Sequence, residues 1–216
     1  MDISYAERII ETIPSSNIQR DYMVLLTMAN DEDEYVRSLA AENLVHLGIA
    51  PAMELLIRLT GDTDALVRTN AYDSLGSFDH PQVRNLLKKA ARKEPDEVAR
   101  FYALLSYADQ VQAGTAAVCY FQKSMRDDSS AMCKLACSYA LYQLGDDSQF
   151  DSLYENLHGA EDYHVRCVAA SFFQDILNEN NREMILAALN SALKTEASIA
   201  VSSRIREILR EESVVE

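Results

Sequence analysis

Apolar residues recur along this chain at three- and four-residue intervals, in short runs parted by turns, and nowhere in the alternation of a half-buried strand. One phrase keeps returning: "DEDEYVRSLAAENLVHLG" begins at Asp31, "DTDALVRTNAYDSLGSF" at Asp62 and "EPDEVARFYALLSYADQV" at Glu94. Taking Val36, Val67, Ala99, Cys133, Val165 and Val201 as one equivalent anchor gives steps of 31, 32, 34, 32 and 36 residues. A period of that size is the mark of stacked helical units.

Each phrase reads as one helix with a defined start. Three residues before the anchors stand Asp33, Asp64, Asp96, Ser130, Asp162 and Ser198, all side chains able to accept an orphan N–H of a first helical turn. Four residues after the anchors come Ala40, Ala71, Ala103, Cys137, Ala169 and Ile205, and eight after come Leu44, Leu75, Tyr107, Leu141, Phe173 and Leu209. These positions share one stripe, whose small middle residue lets neighbouring helices approach closely. Basic residues follow the anchors directly, as Arg37, Arg68, Arg100, Lys134 and Arg166. With the cap acids four residues upstream they are expected to form a ladder along adjacent turns.

Further segments of helical period separate the phrases, so each phrase pairs with a helix before it. The expectation is an all-α chain of six helical hairpins at about 16–48, 50–78, 80–110, 114–145, 147–177 and 180–212, after a short helix over 3–12, in a single domain spanning 1–216. Gly48, Gly76 and Gly145 stand where helices end, and Pro51, Pro81 and Pro95 where the next begin. Caps and the apolar stripe are expected to outweigh the arginines in stability, with Ala71→Leu more damaging than Arg68→Ala.

The capping acid, Val-Arg pair, small residue and large aliphatic residue of "DEYVRSLAAENL", "DALVRTNAYDSL" and "DYHVRCVAASFF" resemble the HEAT-repeat family, particularly short bacterial repeats of the phycobilisome-lyase-like type. The resemblance covers roughly residues 16 to 212. It implies a right-handed α-solenoid, with first helices in an outer layer and second helices lining a concave inner one. HEAT arrays serve as scaffolds, adaptors, lyases and a few enzymes, so the resemblance speaks for fold more than for activity.

Composition narrows the function. Twenty basic against 34 acidic residues leave a net charge of −14, which opposes binding to nucleic acid or an anionic membrane and favours a basic partner. No run of eighteen apolar residues is present, and "MDISYAERII" lacks the basic start and apolar core of an export signal, so a cytoplasmic location is expected. Cys119, Cys133, Cys137 and Cys167 form no CxxC pair and are expected as reduced thiols, with Cys137 in the small-residue slot rather than in a metal site. Repeat hydroxylases hold iron with His-Glu pairs; none of His46, His80, His158 and His164 is followed by Glu. No phosphate loop or tryptophan is present, and no cofactor, metal or catalytic residue is assigned. The acids two residues before the caps, Asp31, Asp62, Glu94, Asp128 and Glu196, are read as solvated turns; Ala160 breaks that series.

Function then falls to the second helices. With the stripe turned inward, the concave face is expected to present Glu42, Tyr72, Asp73, Phe101, Leu105, Tyr139 and Tyr142, an open and partly acidic groove. The reading is a protein-interaction module or scaffold that binds a basic or amphipathic segment of another protein. Two alternatives stand beside it: an immunity protein that neutralises a cationic toxin, and a lyase-type enzyme or accessory acting on a tetrapyrrole-like cofactor.

Overall fold

The computed structural model describes residues 1–13 and 17–214; Ser16, where the first hairpin is expected to begin, lies outside them. Among the described residues the regular structure is all helical. The chain divides into two compact units, Met1–Val111 and Gln112–Glu216. No helix among the described residues is long and apolar enough to cross a membrane.

The first unit contains α1 (Ile3–Ile10), α2 (Ile18–Met28), α3 (Glu34–Leu44), α4 (Ala50–Leu59), α5 (Ala65–Leu75), α6 (Pro81–Lys93) and α7 (Glu97–Asp109). Pairs α2/α3, α4/α5 and α6/α7 are hairpins, and the second helices α3, α5 and α7 pack side by side. The second unit contains α8 (Thr115–Asp127), α9 (Ala131–Gln143), α10 (Gln149–Gly159), α11 (Tyr163–Ile176), α12 (Arg182–Thr195) and α13 (Ile199–Val214). Its hairpins are α8/α9, α10/α11 and α12/α13.

The second helices α3, α5, α7, α9 and α11 begin at the same chemical step. Asp33 accepts the amides of Tyr35 and Val36, Asp64 those of Leu66 and Val67, and Asp96 those of Val98 and Ala99. Ser130 accepts from Cys133 and Asp162 from His164; Ser198 stands immediately before α13. Each such bond quiets an orphan donor and is worth roughly 1 kcal/mol. The stripe beyond is fully buried through Val36, Ala40 and Leu44, and through Val67, Ala71 and Leu75. In α13 the register shifts by one, because Ile208 is buried where Leu209 is only half-buried.

Glycine serves two purposes at these helix ends. Gly48 (φ 60°) and Gly145 (φ 96°) take the left-handed turn that a side chain disfavours. Gly76 is different: its backbone is helical, but a Cβ there would meet Ser106 Oγ of α7 at 3.0 Å. Close approach between α5 and α7 is the reason for this glycine. Neighbouring side chains exploit similar closeness, as Ser74 Oγ donates to Ala41 O (2.8 Å) and Asn70 Nδ2 to Ser38 O (3.1 Å), both across α5 and α3.

The ladder is built differently from the expected one. Cap acids are spent on backbone amides, and the arginines pair with acids of the following hairpin. Arg37 forks onto Asp62 (2.8 and 2.9 Å), Arg68 onto Glu94 (3.1 and 2.7 Å) and Arg166 onto Glu196 (2.7 and 2.9 Å). The remaining nitrogen of each arginine donates to two carbonyls of its own turn, Asp31 and Glu32 for Arg37, Asp62 and Thr63 for Arg68, Ala160 and Glu161 for Arg166. Each acid in turn accepts the amide two residues on: Asp64 for Asp62, Asp96 for Glu94, Ser198 for Glu196. These acids are therefore not solvated turn residues. The Glu94 and Glu196 side chains are each only 4% exposed, and the rungs tie turn to turn across successive hairpins.

Candidate interaction face

The residues expected to line a groove differ in exposure. Tyr72, Phe101 and Tyr139 are buried. Tyr72 hands its hydroxyl to Glu94 (3.0 Å), so it belongs to a rung. Tyr139 stacks on Phe172 with ring centroids 4.0 Å apart and accepts a hydrogen bond from Gln143 (2.6 Å). Tyr142, half-buried, leans on Phe150. Glu42 and Asp73 are exposed, and Leu105 is partly so.

The reason is rotational. Within a unit each second helix is flanked by its hairpin partner and by at least one neighbouring second helix, so burial covers more than the anchor stripe. Positions two and five residues after the anchor turn inward: Ser38, Thr69 and Phe101, then Ala41, Tyr72 and Leu104, are all buried. Water meets the side one residue before the anchor and three and six after it. These residues are spaced by four and three, and so they share a face.

In the first unit that face is a three-by-three array. α3 contributes Tyr35, Leu39 and Glu42; α5 contributes Leu66, Asn70 and Asp73; α7 contributes Val98, Tyr102 and Leu105. Tyr35, Leu66 and Val98 are exposed by 38%, 47% and 50%, forming one apolar row across three adjacent helices. Scattered apolar residues are ordinary on a surface, but three in one register are an organised patch. Tyr35 also donates to Glu7 of α1 (3.2 Å). The sequence carries the signal for this row, since its members precede the anchors; it is overlooked when only the anchor stripe is assigned to the core.

The acidic part of the array is electrostatically uneasy. Among the described residues neither Glu42 nor Asp73 has an ion-pair partner, whereas the rung acids are matched. The Asp73 residue is exposed, yet its carboxyl group is crowded by protein; that burial, with the charge of Glu42, pushes its pKa above the usual carboxylate range. Burial and the neighbouring Asp73 charge likewise push the Tyr102 hydroxyl up. A cation brought to this face relieves repulsion that the fold leaves in place.

The other candidate chemistry is quiet. Cys133 and Cys137 are fully buried, and burial pushes the Cys137 thiol far from the reactive range. Among the described residues no group of three or more His, Cys, Asp and Glu is placed to hold a metal ion. His164 Nδ1 lies 2.9 Å from the cap acid Asp162 on the surface.

Residues 23–108 match the family model of HEAT repeats. Among solved structures the chain is similar to one in the complex of CpcE and CpcF of phycocyanin lyase from Nostoc sp. PCC7120, at 20% identity and a TM-score of 0.60, over 95% of this chain and 94% of that one. It is also similar to human deoxyhypusine hydroxylase in complex with glycerol, at 17% identity and a TM-score of 0.44, over 96% and 95% of the two chains. No curated protein matches it in sequence. At such identities the likeness to CpcE and CpcF is one of fold. With capped second helices and a buried small-residue stripe, the chain has the helical-hairpin fold of its structural neighbours, and residues 23–108 of it match the HEAT-repeat pattern.

Proposed function

We propose that this protein is an interaction module whose α3–α5–α7 face receives a basic, amphipathic segment of another protein. One observation carries the reading: Glu42 and Asp73 lie on adjacent helices with no ion-pair partner among the described residues, beside an exposed apolar row. A lysine or arginine would gain two carboxylates already mutually repelled, while apolar side chains of the same segment cover Leu66 and Val98. Burial of that kind yields roughly 25 cal/mol per Å². A preformed array also loses little ordering entropy on the receptor side. Tyr72 and Phe101 support the array from within and, like the buried Tyr139 of the second unit, are not offered as contacts.

The test is capture from native lysate on immobilised protein, beside the variant Glu42→Lys/Asp73→Lys. Proteins held by the native chain should be lost from the variant and released by salt. Retention of the same set by both, at equal affinity, overturns the acidic-face reading.

A further inference from the structure

We infer that the boundary between α9 and α11 is a compliant joint of the second unit, held by aromatic surfaces where the other second-helix seams inside each unit carry an ion-pair rung. The inference stands apart from the proposed binding face. Within the units, α3–α5, α5–α7 and α11–α13 are tied by Arg37–Asp62, Arg68–Glu94 and Arg166–Glu196. At α9–α11 both halves of the tie are replaced together. Lysine stands in the arginine position, as Lys134, and Ala160 stands in the acid position. A lysine lacks the fork that grips a carboxylate and a turn at once. Lys134 is exposed, whereas the rung arginines are 13–16% exposed.

The loss reaches the turn itself. The amides of Asp33, Asp64, Asp96, Ser130 and Ser198 are each accepted by a carboxylate two residues upstream. Asp162 has Ala160 there instead. On its α12 side the same turn borders a crevice of about 180 Å³ lined by Leu157, His158, Arg166, Thr195 and Glu196 among others. His158 stacks on Tyr154, its Nδ1 lies 3.0 Å from Tyr154 O, and its buried Nε2 has no hydrogen-bond partner among the described residues.

Among the described residues, α9 and α11 meet ring on ring. Tyr139 of α9 lies nearly parallel to Phe172 of α11, at an interplanar angle of 13°. Phe150 of α10 meets Phe173 edge-on and Tyr142 at a tilt. Stacked rings keep much of their attraction through a sideways shift, while a bidentate ion pair does not. Motion here alters the angle between the α8/α9 hairpin and the hairpins after it.

Hydrogen exchange followed by mass spectrometry tests this on the intact chain. The turn over 160–166 should exchange faster than the equivalent turns at 62–68 and 196–202. The rung-restoring variant Lys134→Arg/Ala160→Glu should slow exchange at 160–166 on the order of tenfold, beyond the product of the single variants. Equal protection of the three turns in the native chain overturns the joint, and so does a double variant no better than its singles. Should the double variant fail to fold, the native comparison alone decides.

Discussion

Arg68 and Glu94 stand 26 residues apart in the chain, yet the guanidinium grips the carboxylate through two bonds of 3.1 and 2.7 Å. The side chains are 13% and 4% exposed, and Tyr72 adds a third donor to the same carboxylate. Surface pairs contribute about 0–1 kcal/mol, but removing one partner of a buried pair costs about 3–5. This rung lies between those limits.

Arg68→Ala should therefore destabilise by about 2–3 kcal/mol, comparable to the overpacking expected for Ala71→Leu at about 1–3 kcal/mol. Urea unfolding of both variants checks this. The sequence alone ranks Ala71→Leu as the more damaging change, and a clear gap in that direction would restore that order. Removing Glu94 as well should recover part of the Arg68→Ala loss, since no buried charge is then left unpaired.

The rung acids also set the response to acid. The arginine bonds, with backbone support, hold Asp62 and Glu196 below the usual carboxylate range; in Glu94 burial works against the shift, but bonds from Arg68, the Asp96 amide and Tyr72 prevail. A depressed folded pKa means stability that is present above the unfolded carboxylate pKa and lost as pH falls through the folded one. Denaturant midpoints should decline from pH 5 downward, and more shallowly in Asp62→Asn/Glu94→Gln/Glu196→Gln.

Asp73 has the opposite sign. Its folded pKa is raised, by burial and by Glu42, so its contribution is favourable below the unfolded pKa and lost as pH rises through the folded value. Asp73→Asn should raise the melting temperature at neutral pH and do little at pH 3. A lower melting temperature at pH 7 would contradict the strain assigned to this face.

Gly76→Ala should destabilise despite the better helix propensity of alanine, because the new methyl group meets Ser106 Oγ at 3.0 Å and its Cβ at 3.2 Å. We expect a loss of about 1–2 kcal/mol, partly recovered by adding Ser106→Ala. No recovery in the double variant would place the conflict elsewhere.

Thiol chemistry should follow exposure. Cys119 is exposed, Cys167 half-buried, and Cys133 and Cys137 buried. A thiol reagent should label Cys119 first and reach Cys133 and Cys137 only on unfolding, as peptide mass spectrometry will show.

The hairpin plan was legible in the residues because its causes are local. A cap oxygen acts within three residues, and a stripe is set by spacings of three and four. Asp33, Val36, Ala40 and Leu44 therefore declare a helix, its start and its inner side without reference to any other part of the chain. The turn acids were misread for the converse reason: what neutralises Asp62 is an arginine 25 residues earlier, in a different hairpin. Local spacing offers the nearer partner, Asp33, which the backbone has already claimed.

The sequence by itself determined a periodic, capped, all-helical chain with a buried small-residue stripe. Only the tertiary structure decided which acid each arginine meets, and how far each second helix is turned. Those two outcomes depend on neighbours packed on several sides of α3, α5 and α7, whose combined contact places Tyr72 and Phe101 inside and leaves Leu66, Val98 and Asp73 facing water. Periodicity names a helix's greasy side; the width of that side is set by how many helices press upon it.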